Sequence, residues 1–269
     1  MATSRAAPQA AFVLHQWDWS ETSLILDLFT REQGRLAAVA KGAKRPYSQL
    51  RPVLMPFQRL LVLTSKPKSA AADQGADILL LRTAEYAGAG AMLPSSRLFP
   101  GFYLNELLMK LLARGDPHPV LFDGYADALL ALAEAPDEAP LRAFELLLLR
   151  ETGVLPELSR ITTTQAVVQA GRSYRLGAEA GLVLAADDDA TSLGGAVCLG
   201  LQAALDRNDH VALRRACQAA LPALRSQLRT LLHYHLGSPP LRTRQLMLDL
   251  RRLLDAAPPH AAGATPPQP

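Results

Sequence analysis

Nine lysines and arginines lie between positions 31 and 68 of this 269-residue chain, and the same stretch contains a single acidic residue, Glu32. The cations are Arg31, Arg35, Lys41, Lys44, Arg45, Arg51, Arg59, Lys66 and Lys68. The stretch therefore has a net charge of +8, whereas the whole chain has only +3. Because these cations interrupt strand-like segments, we expect them on a folded surface rather than on a loose tail. A surface of that charge attracts a polyanion, and nucleic acid is the commonest one.

The segment Lys41-Gly42-Ala43-Lys44-Arg45-Pro46 is the sharpest local signal within that stretch. Gly42 lets the backbone approach a ligand closely, and three cations surround it where a strand passes into a loop. An ordinary basic loop explains the segment equally well when it is taken alone. Adding Arg31, Arg35 and Arg51 favours a phosphate-binding surface, which would hold the backbone of a nucleic acid without reading its sequence.

Exposed aromatic rings are the second component that single-strand-binding barrels use beside their cations. Aromatic residues are only 6% of this chain, so few side chains are available for that role. Tyr47, Trp17 and Trp19 are the candidates for stacking on bases, whereas we expect Phe29 and Phe57 in the core.

A second basic group lies near the carboxyl end. Arg242 and Arg244 follow a Pro-Pro break, and Arg251 and Arg252 lie on the last predicted helix. These arginines are candidates for a second phosphate-binding patch. The alternative is that they lie near helix ends because the helix dipole favours cations there.

Catalytic motifs are missing from the sequence. It contains no Gly-rich phosphate loop with Lys-Ser/Thr, no nucleophile elbow and no metal-binding His/Cys spacing. His233 and His235 are two residues apart and would lie on different faces of a helix. The triplet Asp187–Asp189 fits a solvated loop better than a cation site, because no second acidic cluster completes it. Glu21 and Asp27 are interpreted as surface or turn residues, and we expect neither enzymatic activity nor a metal or cofactor.

The first part of the chain has the pattern of short strands separated by turns. The predicted strands are Ala11–Gln16, Thr22–Thr30, Leu36–Ala40, Phe57–Thr64 and Asp77–Thr83. Gly34 is available for a hairpin turn before the third of them. Five short strands in this span predict a small antiparallel barrel over residues 1–85.

The apolar period then changes to that of helices. The predicted helices are Gly101–Arg114, Val120–Ala133, Pro140 to Gly153, Ser192–Leu205, Val211–His235 with a break or kink at Pro222, and a last one that Thr243 caps and that runs to Leu254. Residues 86–255 therefore predict a mostly helical domain, with an irregular insert near 154–191 that has room for one hairpin. Residues 256–269 are expected to be a disordered tail.

Composition limits the class of protein further. Two cysteines, Cys198 and Cys217, are too few for a disulfide scaffold or a structural zinc site. No uncharged apolar stretch reaches the ~18 residues of a membrane helix, and the amino terminus has no signal-peptide core. We therefore expect a soluble, cytoplasmic protein with no membrane partner.

An ordered set of segments resembles the bacterial RecO family of DNA repair proteins over nearly the whole chain, from about Ala10 to Leu254. In the amino-terminal part the segments are Ala11–Gln16, Ser20-Glu21-Thr22-Ser23, Phe29–Gly34, Val39–Lys44 and Leu54–Phe57. Downstream they are Tyr103–Leu108, Leu141–Glu145 and Pro240–Arg244. No single motif decides the matter, but the order of the set is hard to obtain by chance.

The resemblance implies an α+β, multidomain protein: an amino-terminal five-stranded OB-fold barrel followed by a mostly helical domain. Such proteins are recombination mediators without enzymatic turnover. They bind ssDNA and dsDNA, anneal complementary strands, contact the acidic C-terminal tail of single-strand-binding protein, and with RecR help to load the RecA recombinase on nucleoid DNA. Arg142, at the family's Leu-Arg position, would meet that tail, with apolar helix surface beside it for the tail's terminal Phe. The alternative is that Arg142 is a solvated helix charge.

Two departures from the family's pattern are visible. Many relatives carry a four-cysteine zinc module in the helical domain, and this chain lacks the ligands, so residues 154–191 are expected to fold without metal. The Ser65–Gly75 loop is long for the family, and its Lys66 and Lys68 would extend the DNA-binding face.

Two other functions stay open. A nuclease or other nucleic-acid enzyme would need a metal-binding carboxylate cluster. A protein-binding scaffold would use the basic barrel face to hold an acidic partner.

Overall fold

The computed structural model describes residues 7–66, 78–88, 90–135, 137–186, 189–237 and 241–256, without the side chains of residues 251 and 254–256. Within these ranges the amino-terminal part is a closed barrel. Its strands are β1 (Gln9–Asp18), β2 (Leu24–Thr30), β3 (Gly34–Ala40), β4 (Leu60–Ser65) and β5 (Ile78–Tyr86).

The barrel has the strand order β1-β2-β3-β5-β4, and β1 pairs with β4 to close it. The β3–β5 pair is parallel and the other pairs are antiparallel. A five-stranded barrel with this arrangement is of the OB type. The predicted five-stranded barrel is therefore confirmed, with strand ends that differ from the predicted ones by a few residues. It is antiparallel at four of its five strand pairs and not, as was predicted, throughout.

Alternation along β1 divides its side chains between two cores. Ala11 and Val13 pack inside the barrel, whereas Phe12 and Leu14 belong to a larger core that the helices share. The register of β1 against β2 shifts between Val13 and His15, as in a β-bulge. This shift places consecutive residues of β1 on the outer face and re-aims the end of the strand.

Seven α-helices follow the barrel in the described ranges. They are α1 (Leu98–Leu111), α2 (Pro119–Glu134), α3 (Ala139–Glu151), α4 (Gly195–Asp206), α5 (His210–Gln218), α6 (Leu221–Leu236) and α7 (Arg242–Ala256). Pro140 lies in the first turn of α3 as predicted, and Pro222 lies in the first turn of α6, where the predicted long helix breaks. Thr243 does not cap the last helix, because α7 already begins at Arg242.

The insert near 154–191 contains the hairpin for which the sequence had room. Strands β6 (Ser173–Gly177) and β7 (Gly181–Leu184) form it, and the short β8 (Leu193–Gly194) pairs with the other edge of β6. Tyr174, Leu176 and Leu182 from this sheet are buried in the core of the helices. The sheet therefore packs as part of the helical region.

The barrel is joined to the helices through a shared core. The ring centroid of Phe12 lies 5.2 Å from that of Phe122 and 5.0 Å from that of Tyr125, both on α2. Gly34 at the start of β3 has φ +67°, and a Cβ there would lie 1.9 Å from the carbonyl oxygen of Asp116. Close backbone contact of this kind requires glycine and fixes the loop between α1 and α2 against the barrel.

No helix in the described ranges is long and apolar enough to cross a membrane.

Candidate nucleic-acid interface

The segment between β3 and β4 closes one end of the barrel. Ala43 and Leu54 are buried in the barrel core, and the side-chain amide of Gln16 donates to the carbonyl of Leu54. Because these apolar residues face inward, the charged residues between them remain on the outside of the barrel.

Three cations of this segment are exposed and have no acidic partner. Lys41, Arg45 and Arg51 form no ion pair with any residue that the structure describes. Gly42 has φ +73°, and the aliphatic part of Arg45 lies across it, 3.7 Å from where a Cβ would be. We call Lys41, Arg45 and Arg51 the barrel-end cations.

Lys44 lies in the same segment but already has partners. Its Nζ lies 3.1 Å from a carboxylate oxygen of Asp18 and donates to the carbonyl of Ser20 at 3.0 Å. The Asp18 side chain is 78% exposed, so this pair is a weak surface ion pair that a phosphate can replace.

Arg35 does not lie on the basic surface, contrary to the prediction. Its side chain is only 14% exposed, and its Nε donates to Oδ1 of Asp27 at 3.0 Å. Its Nη1 donates to the carbonyls of Met109 and Leu112 at the carboxyl end of α1. A guanidinium that satisfies a buried carboxylate and the last carbonyls of a helix holds the barrel on α1 and is not available to phosphate.

The prediction that Asp27 is a surface or turn residue is also wrong, since its side chain is buried, with 1% exposed, in strand β2. Burial raises the pKa of its carboxyl, and the nearby charges of Arg35 and Arg114 oppose that rise. Arg114, from the loop after α1, lies 3.6 Å away. Asp27 and the two arginines therefore form a charged joint between barrel and helices.

Arg31 faces α2 rather than the barrel end. Its guanidinium lies 2.9 Å from a carboxylate oxygen of Asp123, and both side chains are about half-exposed. Hydrogen bonding to Asp123 raises the pKa of Arg31. The structure thus does not bring Arg31 together with the barrel-end cations.

Trp17, Trp19 and Tyr47 are exposed by 41%, 62% and 95%. Trp17 pairs with Ile25 of β2, which pairs in turn with Val39 of β3, so these three share a row on one face of the sheet. The helices cover the outward-facing row of the sheet that contains Phe29 and Arg35, whereas the row that contains Trp17 remains partly exposed. Phe29 and Phe57 are buried, as expected.

The remaining predicted cations of the barrel are dispersed. The guanidinium carbon of Arg59 lies 5.9 Å from the ring centroid of Phe122, which is a cation–π distance. Lys66 is exposed at the end of β4. Lys68 and most of the Ser65–Gly75 loop lie outside the described residues.

Arg142 is buried, so the interpretation as a solvated helix charge is wrong. Its side chain is 9% exposed, and its Nη1 lies 2.9 Å from Oε2 of Glu145, which is itself fully buried. The hydroxyl of Tyr103 donates to the other oxygen of Glu145 at 2.6 Å. Burial raises the pKa of Glu145, against the opposing charge of Arg142. This buried network ties α1 to α3.

An apolar cleft lies on a different face of α3, between α2 and α5. Ala143, Phe144 and Leu147 line it from α3, and Leu213 and Arg214 line it from α5. The spacing of the α3 residues leaves Arg142 on another side of the helix. This cleft is therefore not beside Arg142, and its Phe144, Leu147 and Leu213 are only 2% exposed.

The carboxyl-terminal arginines lie beside two more that the sequence did not single out. Arg244, half-buried on α7, has Arg225 and Arg229 of α6 as charged neighbours. Burial, and then the charge of Arg229, lower the pKa of Arg244. Arg242 is exposed, while Arg252 lies 3.5 Å from Asp249 and the side chain of Arg251 is outside the described part. The spacing of four residues between Arg225 and Arg229 was the sequence signal that could have predicted two arginines on one face of a helix.

Acidic groups do not gather anywhere in the described ranges, which contain no cluster of three His, Cys, Asp or Glu residues able to hold a metal ion. From the Asp187–Asp189 triplet only Asp189 is described, and its carboxylate accepts hydrogen bonds from the backbone and hydroxyl of Thr191. These bonds lower the pKa of Asp189.

Comparison with known proteins gives a consistent family. The model of the Recombination protein O N terminal region matches residues 5–72, and that of the Recombination protein O C terminal region matches residues 96–245. A DNA repair protein RecO of Verminephrobacter eiseniae is 50% identical over 256 residues, covering 94% of this chain and 99% of the relative. A DNA repair protein RecO of a Polaromonas species is 48% identical over 260 residues, covering 94% of this chain and all of the relative. The two domain models, the identity over nearly the whole length and the OB-type barrel followed by helices show that this chain belongs to the RecO family of DNA repair proteins.

Proposed function

We propose that this chain is a recombination mediator that binds single- and double-stranded DNA and anneals complementary strands without catalytic turnover. With RecR and single-strand-binding protein it would help to load RecA on the nucleoid DNA of the cytoplasm. The observation that carries the proposal is the barrel end, where Lys41, Arg45 and Arg51 are exposed without acidic partners.

The barrel-end cations suit the backbone of a single strand. Their charges lie on one loop beside Tyr47, and Trp17 and Trp19 are exposed at the end of β1 and in the turn after it. Cations hold phosphates while aromatic rings stack on bases, and neither contact selects a sequence. A protein that anneals any pair of complementary strands needs this sequence tolerance.

The helices limit where a strand can lie. They cover the rows of the sheet that contain Phe29 and Arg35, whereas the row with Trp17, the adjoining loop and the outer face of β5 stay exposed. Of these open surfaces, the barrel end carries the three exposed cations without acidic partners among the described residues. We therefore place the strand across the barrel end, and we leave Arg31 and Arg35 out of the proposed contact set. Lys44 would join after release from Asp18.

The acidic tail of single-strand-binding protein has two candidate sites on α3. Arg142 is the cation that the family resemblance favours, but Glu145 already neutralises it. The small apolar cleft offers Arg214 to a carboxylate, although Arg214 is paired with Asp127. Phe144 and Leu147 are only 2% exposed, so an aromatic ring would enter there only if α2 and α5 moved apart. In addition, the buried Nε2 of His210 in this cleft has no hydrogen-bond partner among the described atoms.

Calorimetry with the tail peptide separates these two sites. Binding that is lost in Arg142→Ala and kept in Arg214→Ala supports Arg142 as the contact. The reverse result moves the tail to the cleft. DNA affinity should be nearly unchanged in both variants, because neither residue belongs to the barrel end.

The proposed function is tested by annealing of complementary fluorescent oligonucleotides coated with single-strand-binding protein. We expect the wild-type chain to anneal them and the variant Lys41→Gln/Arg45→Gln/Arg51→Gln to be strongly impaired. A folded variant that anneals normally would remove the barrel end from the mechanism. Salt-dependent binding to oligonucleotides of unrelated sequence supports the proposed function. Its absence, together with tight binding of acidic proteins, would instead favour the scaffold alternative.

A further inference from the structure

The outer face of α6 carries a line of polar residues. Arg225 and Arg229 lie one helical turn apart, about 6 Å along the axis, and Ser226 and Thr230 lie beside them in a shallow groove. All four are exposed. This face turns away from the core, which α6 contacts through Leu224, Leu228 and Leu231.

The start of α7 brings a third arginine to this face. Both oxygens of the Glu106 carboxylate, on α1, accept backbone N–H bonds from α7, at 2.8 Å from Arg242 and at 2.9 Å from Thr243. An acidic group that binds the first N–H groups of a helix fixes that helix end in place. The first turn of α7 is thereby fixed, and Arg244 is held with Arg225 and Arg229 as its charged neighbours.

These three positive charges are poorly compensated. Arg225 lies 3.7 Å from Glu138, but Arg229 and Arg244 form no ion pair with any described residue. The pKa of Arg244 is lowered by burial and by both neighbouring arginines, as expected for like charges held together. Binding of an anion relieves this repulsion.

The chemistry of the groove favours phosphate over an acidic peptide. Phosphate oxygens are typically bound by arginines together with Ser and Thr hydroxyls, and this groove supplies both from Arg225, Ser226, Arg229 and Thr230. An acidic tail ending in an aromatic residue also needs an apolar pocket, and Pro222 is the only apolar residue among those that line the groove.

We propose that Arg225, Arg229 and Arg244 form a second nucleic-acid contact, the α6–α7 arginine cluster, which holds the phosphate backbone of a second DNA strand while the barrel end holds the first. This inference rests on the proposed function, because annealing needs two strands on one protein. It assigns Arg244 from the predicted basic patch to a site whose other members come from α6.

The test uses two non-complementary oligonucleotides that carry a donor and an acceptor dye, mixed with dilute full-length protein. Wild type should bring the dyes together, whereas Arg225→Gln/Arg229→Gln/Arg244→Gln should bind one oligonucleotide normally and lose the second. Three lost phosphate contacts correspond to about 100-fold weaker binding of the second strand at 0.1 M salt. The matched control is Arg172→Gln/Arg207→Gln/Arg215→Gln, which removes the same charge from exposed sites elsewhere on the helical region.

Each outcome decides between the two proposals. Normal energy transfer in the cluster variant overturns the second contact and leaves the barrel end intact. Loss of energy transfer in both variants, with binding of a single oligonucleotide weakened in Lys41→Gln/Arg45→Gln/Arg51→Gln and normal in the cluster variant, supports both. No binding of any oligonucleotide by wild type would refute the proposed function itself. Loss of tail-peptide binding in the cluster variant, with energy transfer unchanged, would identify an acidic-peptide site and overturn the inference.

Discussion

Replacing Lys41, Arg45 and Arg51 by glutamine should lower both the affinity for single-stranded DNA and its dependence on salt. The three side chains are exposed and form no ion pair with the described residues, so their removal leaves no buried charge without a partner. Folding stability should therefore change by no more than about 0.5 kcal/mol. Any loss of binding then reports on DNA contacts and not on unfolding.

The expected size of the effect follows from counterion release. Each phosphate contact to a single strand contributes about 0.7 to the slope of log affinity against log salt, so three contacts contribute about 2. At about 0.1 M salt the variant should bind about 100-fold more weakly. Between about 50 and 200 mM salt the wild type should lose about 20-fold more affinity than the variant.

Fluorescence anisotropy of a labelled oligonucleotide at several salt concentrations measures both quantities. Arg172→Gln/Arg207→Gln/Arg215→Gln is the control, because it makes the same change in net charge at exposed positions of the helical region. If the control lowers the slope as much as the barrel-end variant, only the total charge matters and the proposed interface is refuted. A slope within about 0.5 of wild type in the barrel-end variant would refute it equally.

Three further predictions concern the joint and the buried charges. Gly34→Ala should lower the free energy of unfolding in urea by at least about 2 kcal/mol, since the new Cβ would lie 1.9 Å from a carbonyl oxygen. The control Gly88→Ala, with φ +70° and open space around it, should lower it by only about 1 kcal/mol. Equal losses in the two variants would contradict the close contact at Gly34. Arg35→Met should lower the free energy of unfolding by about 3 kcal/mol, because buried Asp27 loses its nearest cation. Arg31→Gln removes one partner of the half-exposed Arg31–Asp123 pair and should lower it by less than about 1 kcal/mol. The reverse order of the two losses would show that the Asp27–Arg35 pair does not stabilise the fold. Burial raises the pKa of Glu145 in the folded state above its unfolded value of 4.5, so the protonated carboxyl stabilises the fold at low pH and this contribution is lost as pH rises through the folded pKa. The free energy of unfolding of wild type relative to Glu145→Gln should therefore fall as pH rises above 4.5. A relative free energy of unfolding that rises with pH would disprove the raised pKa of Glu145.

Local pattern in the sequence determined the elements of the fold. Alternating apolar residues and turn glycines predicted five strands. Helical spacing with Pro140 predicted where α3 begins, and Pro222 predicted a break or kink at the point where α6 begins. These signals act over a few residues, so they can be interpreted without knowing what packs against each element. The basic loop was visible for the same reason.

The partners of the charged residues were not predictable in this way. Arg35 and Lys41 look alike in sequence, yet Arg35 donates to a carbonyl 77 residues away and Lys41 remains without an acidic partner in the described part of the chain. Arg31 likewise meets a carboxylate 92 residues away. Arg142 could be interpreted from the sequence as a solvated helix charge, but in the fold it is buried beside Glu145, whose carboxylate also accepts a hydrogen bond from Tyr103 of α1.

The sequence by itself determined how much positive charge the barrel carries and on which strands and loops it lies. Only the tertiary structure decided which of those charges are free to bind, and which arginines of α6 and α7 come together. The physical reason is that the charge of a side chain is fixed by its chemistry. Its availability depends on whether a distant part of the chain removes it from water and supplies an opposite charge.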